Sequence, residues 1–257
     1  MANARFVYRN FVLESGVVFS NTVGSWLSVR PLTFLISPWR KKMARSTTSV
    51  TNVDIVIDLG VIRSFNSAFL INPKIHTGGN VEIQANSTNV WTAPSFTSVF
   101  PAIDTTRKLT GQYFALQSVR WVRVLFRNIA TVNEYVELGN LVLGSYFEPE
   151  HTLTDDFHRT RNDPSVLVKA YDGERQSHRL TKFDSIDGFL EAQSEADKET
   201  FLAMYDFAGQ DTPVVFSVDA SFLNQTYYAY FPEAVTADYH RGSVNLWDVN
   251  VRLEEAR

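Results

Sequence analysis

The chain has 257 residues, 44% hydrophobic and 20% charged, which supplies a packed core and excludes a disordered polymer. A net charge of −4 gives no broad basic field, so nucleic acid is not an expected partner. The absence of cysteine excludes disulfide frameworks, cysteine-ligated zinc and cysteine nucleophiles.

The first residues, Met1 to Arg9, hold no apolar run of signal-peptide type, and no run nears the roughly eighteen apolar residues of a membrane span. The expectation is a soluble protein made in a cytoplasm. Residues 4–36 read as short strands and turns, with Ser15-Gly16 as a turn and Pro31 and Pro38 as breaks. One basic cluster follows, Arg40, Lys41, Lys42 and Arg45. It reads either as a solvated loop or as a contact for an acidic glycan or a neighbouring subunit.

Alternation over 53–60 predicts a half-buried strand, with Val53, Ile55 and Ile57 on one face and Asp54, Val56 and Asp58 on the other. Residues 65–71 read as the next strand, Gly78-Gly79 as a turn and 81–85 as a strand. Residues 86–112 read as a long polar connection carrying Trp91, Phe96 and Phe100. Strands at 113–127 and 135–144 close a first domain, 1–149. Residues 150–163 are charged and polar and read as a linker or arm.

A second domain, 164–257, has another rhythm. Strand-like runs at 166–170 and 178–183 precede a helix. Ser194 caps it, Asp197 stands at its third position, Phe201, Leu202, Tyr205 and Ala208 share a face, and Gly209 ends it. Strands at 213–219, 227–231 and 244–254 follow. Tyr227-Tyr228-Ala229-Tyr230-Phe231 puts aromatics on both faces of one strand, and one face is expected at a subunit or inter-domain interface.

Three segments carry a resemblance: Asp58-Leu59-Gly60 after an apolar strand, Arg120-Trp121-Val122-Arg123, and Glu137-Leu138 leading to Gly144. In order and spacing they resemble the discoidin (F5/8 type C, galactose-binding-like) family. The resemblance implies a mainly β fold, a discoidin-like β-sandwich of jelly-roll type, followed by a smaller α+β domain. It also implies a binding or assembly module rather than an enzyme. The second domain, with Ser194-Glu195-Ala196-Asp197 opening its helix and Trp247 in its last strand, resembles terminal domains of tail-tip and distal-tail proteins of long-tailed bacteriophages. The missing cysteines agree with folding inside a bacterium.

Chemistry-bearing motifs are sparse. His151 and His158 flank Asp155 and Asp156, but the spacing matches no standard metal site, and the segment reads as a solvated arm. No Gly-x-Ser-x-Gly elbow, phosphate-binding loop or His-Glu-x-x-His occurs. Nothing brings Glu82, Asp104 and Glu134 together as a glycosidase pair. No catalytic residue, metal ligand or cofactor is therefore assigned, and the ligand-binding residues are left unknown. The resemblance makes Trp26, Arg30, Trp39, Arg40, Asn89 and Trp91 candidates, with aromatics for sugar faces and polar groups for hydroxyls. Trp26 reads more readily as core. Arg120 and Arg123 read as structural pairing groups.

The resulting expectation is a structural protein of a phage tail tip, the distal tail or baseplate, residing in the virion. Its partners would be copies of itself in a ring and other tail proteins, with the sandwich facing the host surface or a fibre. The alternative is a carbohydrate-binding module that recognises host surface glycan.

Overall fold

Alternating β-branched and polar residues give the chain its long strands, and the computed structural model shows how they pair. It describes residues 3–256 apart from 38–41, 49–50, 76–78, 102–107, 129–134, 152, 154–156, 170–174, 179–180 and 242–244. The chain divides into two units. One holds Met1–Phe147 with Val214–Thr226, the other Glu148–Pro213 with Tyr227–Arg257.

The first unit contains β1 (Arg5–Val7), β2 (Val18–Ser20), β3 (Ala44–Arg45), β4 (Val53–Ile71), β5 (Asn80–Asn86), β6 (Phe96–Val99), β7 (Leu109–Arg127), β8 (Glu137–Leu138) and β9 (Asn140–Gly144). A large antiparallel sheet runs β2-β4-β7-β5-β6, with β9 also on β4. β3 and β8 pair separately. Together with short 3-10 turns at Phe11–Leu13 and Leu32–Ile36, this pair supplies the facing layer. Val12, Leu35, Ala44 and Leu138 join Ile55, Ile57, Ile83, Val122, Val124 and Leu141 in one buried apolar cluster. Two layers on one core make a β-sandwich, and the chain as a whole is mainly β, as its alternation predicts.

Three boundaries differ from the local pattern. Residues 53–60 and 65–71 are one strand, because β4 runs through with register shifts against β7 at 58–63 and 65–67. Such bulges let a strand bend while its apolar side stays on the core. Gly60, at a φ of +74°, takes the turn within the first shift, where its N–H donates to Asp58 Oδ1 at 2.9 Å. β7 begins at Leu109 rather than 113. The expected long connection, 86–112, contains β6, which pairs with β5.

The second unit opens with β10 (His158–Asn162), which lies in the stretch expected as a linker or arm and pairs with a later strand. Then come β11 (Val166–Lys169), β12 (Arg175–His178), β13 (Phe183–Ser194) and α1 (Glu195–Ala208). The next strand, β14 (Val214–Ser217), belongs to the first unit, where it pairs with β1. β15 (Thr226–Tyr230), β16 (Thr236–Tyr239) and β17 (Leu246–Glu255) complete the chain. β17 is central. β13 takes one of its edges, β15 and β16 share the other, and β10 flanks β13.

The single α-helix among the described residues starts and stops where its sequence says. Ser194 accepts a bond from the Asp197 N–H at 3.2 Å, and Gly209, at a φ of +53°, donates to Tyr205 O at 2.7 Å. Its buried stripe is Phe201, Met204 and Ala208, with Lys198. Leu202 and Tyr205, expected on that face, flank it and are only partly buried. Of the aromatic strand, Tyr228 is a core residue, whereas Tyr227 and Tyr230 are half-buried. No helix among the described residues is long and apolar enough to cross a membrane.

Candidate functional site

The outer face of the large sheet is polar, and its charges are spent on one another. Asp54 is fully buried and accepts from the Thr22 and Val23 N–H groups, the Thr22 hydroxyl and Arg123 Nε. Asp58 takes two bonds from Arg120, and Glu82 two from Arg127. These pairs hold strands and loops in register. Trp26 joins this framework: its Nε1 donates to Asp54 O at 2.9 Å and its ring meets Phe126 edge-on. Trp26 is partly buried and packs against the core. Trp91 is half-buried, donates to Asn89 Oδ1 at 2.8 Å and lies 5.8 Å from the Arg123 guanidinium. Trp39 and Arg40 lie outside the described residues.

A different balance exists where four segments meet. Leu27 N donates to Arg45 O, Arg45 N to Arg30 O and Ser46 N to Val136 O, while Lys74 and Glu137 exchange both backbone bonds. Arg45 thus stands opposite Glu137, and Glu137 opposite Lys74, so the three side chains share one face. Glu137 is nearly buried, its side chain 10% exposed, and Arg30 Nη1 donates to its Oε1 at 2.7 Å. Arg45 Nε stands 3.9 Å from that oxygen and Lys74 Nζ 4.0 Å from the other. Both are ion-pair distances, too long for hydrogen bonds. Arg45 Nε has no hydrogen-bond partner among the described residues. Its guanidinium instead lies over the Tyr135 ring, 3.4 Å from the centroid, and Lys74 Nζ donates to the Tyr135 hydroxyl at 3.0 Å. That bond, first of all, raises the Lys74 ammonium above its usual range and keeps it charged. Three cations share one carboxylate, and Lys74 and Arg30 remain 60% and 45% exposed.

No protein-family model matches the chain, and no curated protein matches it. Its likeness is to solved carbohydrate-binding domains. The lectin domain of lectinolysin, solved with Lewis B antigen, is similar at a TM-score of 0.43 and 14% identity, over 53% of this chain and 96% of that one. CBM32-1 from a family 31 glycoside hydrolase of Clostridium perfringens has the same score and identity, over 54% and 99%. The family 32 module of C. perfringens NanJ, solved with galactose, stands at 0.41 and 14%, over 55% and 99%.

Of the residues singled out in the sequence, the fold brings Arg30 and Arg45 to one place and leaves Trp26, Asn89 and Trp91 elsewhere in hydrogen bonds of their own. Lys74, Tyr135 and Glu137 escaped sequence reasoning. Glu137 was visible only as part of the strand pattern shared with discoidin domains. His151 and His158 are exposed, and Asp155, Asp156, Asp104 and Glu134 lie outside the described residues. Among the described residues no group of three or more His, Cys, Asp or Glu side chains could hold a metal ion. Among the described residues His240 has a carboxylate partner, its Nδ1 lying 2.7 Å from Asp248 Oδ1.

Proposed function

We propose that the first unit recognises an acidic glycan through the face built by Arg30, Arg45, Lys74 and Tyr135. One observation carries this reading: among the described residues three cations surround a single carboxylate, an excess of two positive charges on a face where two of the cations are open to solvent. A sugar carboxylate or sulfate would receive charge-assisted bonds from Lys74 and Arg30, and Glu137 would hold both cations in place. Tyr135 adds a flat apolar surface of the kind sugar rings favour. The reading is of binding, with no hydrolysis of glycan, ester or phosphate and no cofactor. Titration of the full chain with acidic and neutral oligosaccharides tests it. Acidic ligands should bind, more weakly as salt rises. Lys74→Ala and Arg30→Ala should each weaken binding about tenfold or more, the worth of one charge-assisted bond. Binding unchanged from the parent in both variants, or no binding of any acidic ligand, would overturn the reading.

A second reading concerns the second unit: a structural component of the tail tip of a long-tailed phage, assembled as a ring with other tail proteins in the virion. Its support is an exposed aromatic edge. Tyr239, 69% exposed, stacks on Trp247 at 4.0 Å, and β16, which carries it, pairs only with β17 among the described residues. An open strand edge covered by aromatics suits a heterologous contact that closes into a ring. Sedimentation and particle imaging of the purified chain decide it: discrete rings support it, and a monomer at every concentration removes it.

A further inference from the structure

Strands β13 and β17 carry α1 on one face, while the other face, continued by β16, is largely polar and partly open to solvent. On the buried side stand Ile186, Leu190, Val249, Val251 and Leu253. The opposite side follows from register. Phe189 faces Asn250, which faces Thr236, in one row across the three strands. Two residues along, Asp187 faces Arg252, and Glu233 from the turn before β16 reaches the same guanidinium. These six side chains line a pocket of about 600 Å³ that lies wholly within the second unit. That volume falls in the range of small-molecule sites, roughly 300–1,000 Å³.

We propose that this pocket is a second binding site and takes a neutral saccharide. The chemistry of its lining selects the class. Asp187 and Glu233 stand 3.3 and 3.5 Å from Arg252, separations that leave most of their acceptor capacity free. Each carboxylate can accept bonds from ligand hydroxyls. Asn250 and Thr236 both donate and accept, which matches the dual character of a sugar hydroxyl. Phe189 supplies an aromatic surface for the C–H face of a pyranose. Charge excludes the rivals. Two carboxylates against one guanidinium leave a net negative charge that repels a phosphate or an acidic sugar, and an amine would have to displace Arg252 from the carboxylates it already faces. A glycosidase would need one carboxyl shielded from water as proton donor, yet the Asp187 and Glu233 side chains are 47% and 61% exposed. The pocket is therefore built to bind rather than to cleave.

This inference stands apart from the acidic-glycan reading, since it uses another unit and a ligand of other charge. Its test is a titration of the ¹⁵N-labelled full chain with D-glucose, D-galactose, D-mannose, N-acetyl-D-glucosamine and their β-linked oligomers, followed by amide resonances. At least one should shift the signals of Thr236, Asn250 and Arg252. Glu233→Gln and Asn250→Ala, both at exposed positions, should each weaken that binding about tenfold. Arg30→Ala and Lys74→Ala should leave it unchanged. Absence of shifts with every neutral saccharide, shifts only with acidic ones, or binding unaltered in the Glu233→Gln, Asn250→Ala double variant would each overturn the proposal.

Discussion

Asp58 and Arg120 meet in a two-point ion pair, Nε to Oδ1 at 2.6 Å and Nη2 to Oδ2 at 2.7 Å, across sixty-two residues of chain. Each is a charged residue of one of the segments that gave the sequence its discoidin look. The pair sits beside the first register shift of β4, where the ladder to β7 is interrupted. A planar guanidinium locked on a carboxylate fixes the two strands where backbone bonds are missing. The Arg120 bonds, first of all, hold the Asp58 carboxyl below its ordinary value of 3.8, with the Gly60 N–H adding to them and burial opposing.

That direction sets a pH dependence. A carboxyl depressed in the folded state stabilises the fold above its unfolded value, and the contribution fades as pH falls through the folded value. The thermal midpoint of Asp58→Asn should therefore lie below that of the parent at neutral pH. The two midpoints should converge as pH drops below 3.8, which parallel melts across that range measure.

Asp54 should matter more. It is fully buried and accepts four hydrogen bonds, one from Arg123, which is itself almost wholly buried. Asp54→Ala strands that guanidinium without its counter-ion and frees the loop at Thr22 and Val23. The expected cost is about 3–5 kcal/mol in denaturant unfolding. A loss near zero would mean that Arg123 finds another partner.

Gly111 makes room for an aromatic ring. It stands opposite Phe69 in the β4–β7 ladder, and a Cβ there would lie 1.9 Å from Phe69 Cδ1. The ring is fully buried and packs edge-on against Tyr113 at 5.3 Å, so it has nowhere to go. Gly111→Ala should destabilise the unit by about 1–3 kcal/mol, the usual cost of overpacking. Adding Phe69→Leu should return part of that loss, as chemical denaturation of the single and double variants will show.

Asp163 offers a check on the segment after β10. The Ser165 side chain, then Lys182, whose Nζ stands 2.9 Å from Oδ2, bring its carboxyl down to about 2. A carboxyl carbon titration by NMR should find that value, and Lys182→Ala should raise it. An ordinary value in the parent would show that the contact with Lys182 does not persist in solution.

Local pattern determined the elements whose causes are local. Period two placed Ile55, Ile57, Val122 and Val124 in the core, where all are fully buried. A capping serine and a left-handed glycine fixed both ends of α1. The resemblance to discoidin domains also implied that Arg120 and Arg123 serve pairing, and each holds an aspartate of β4.

Tertiary structure decided what depends on distant neighbours. Alternation put Asp54 on the face opposite Ile55 and Ile57, yet it is fully buried too, because the loop at Thr22 and Val23 and the Arg123 side chain cover that side. Residues 214–226 read as part of the second domain but belong to the first unit, since β14 finds its partner in β1 some two hundred residues earlier. The cationic face gathers Arg30, Arg45, Lys74 and Glu137 from four separate segments, and the saccharide pocket joins β13 to β16 and β17. Such groupings are set by strand register and long-range packing. A side chain's own neighbours along the chain carry the periodicity of its element, but they carry no record of which other element will lie across from it.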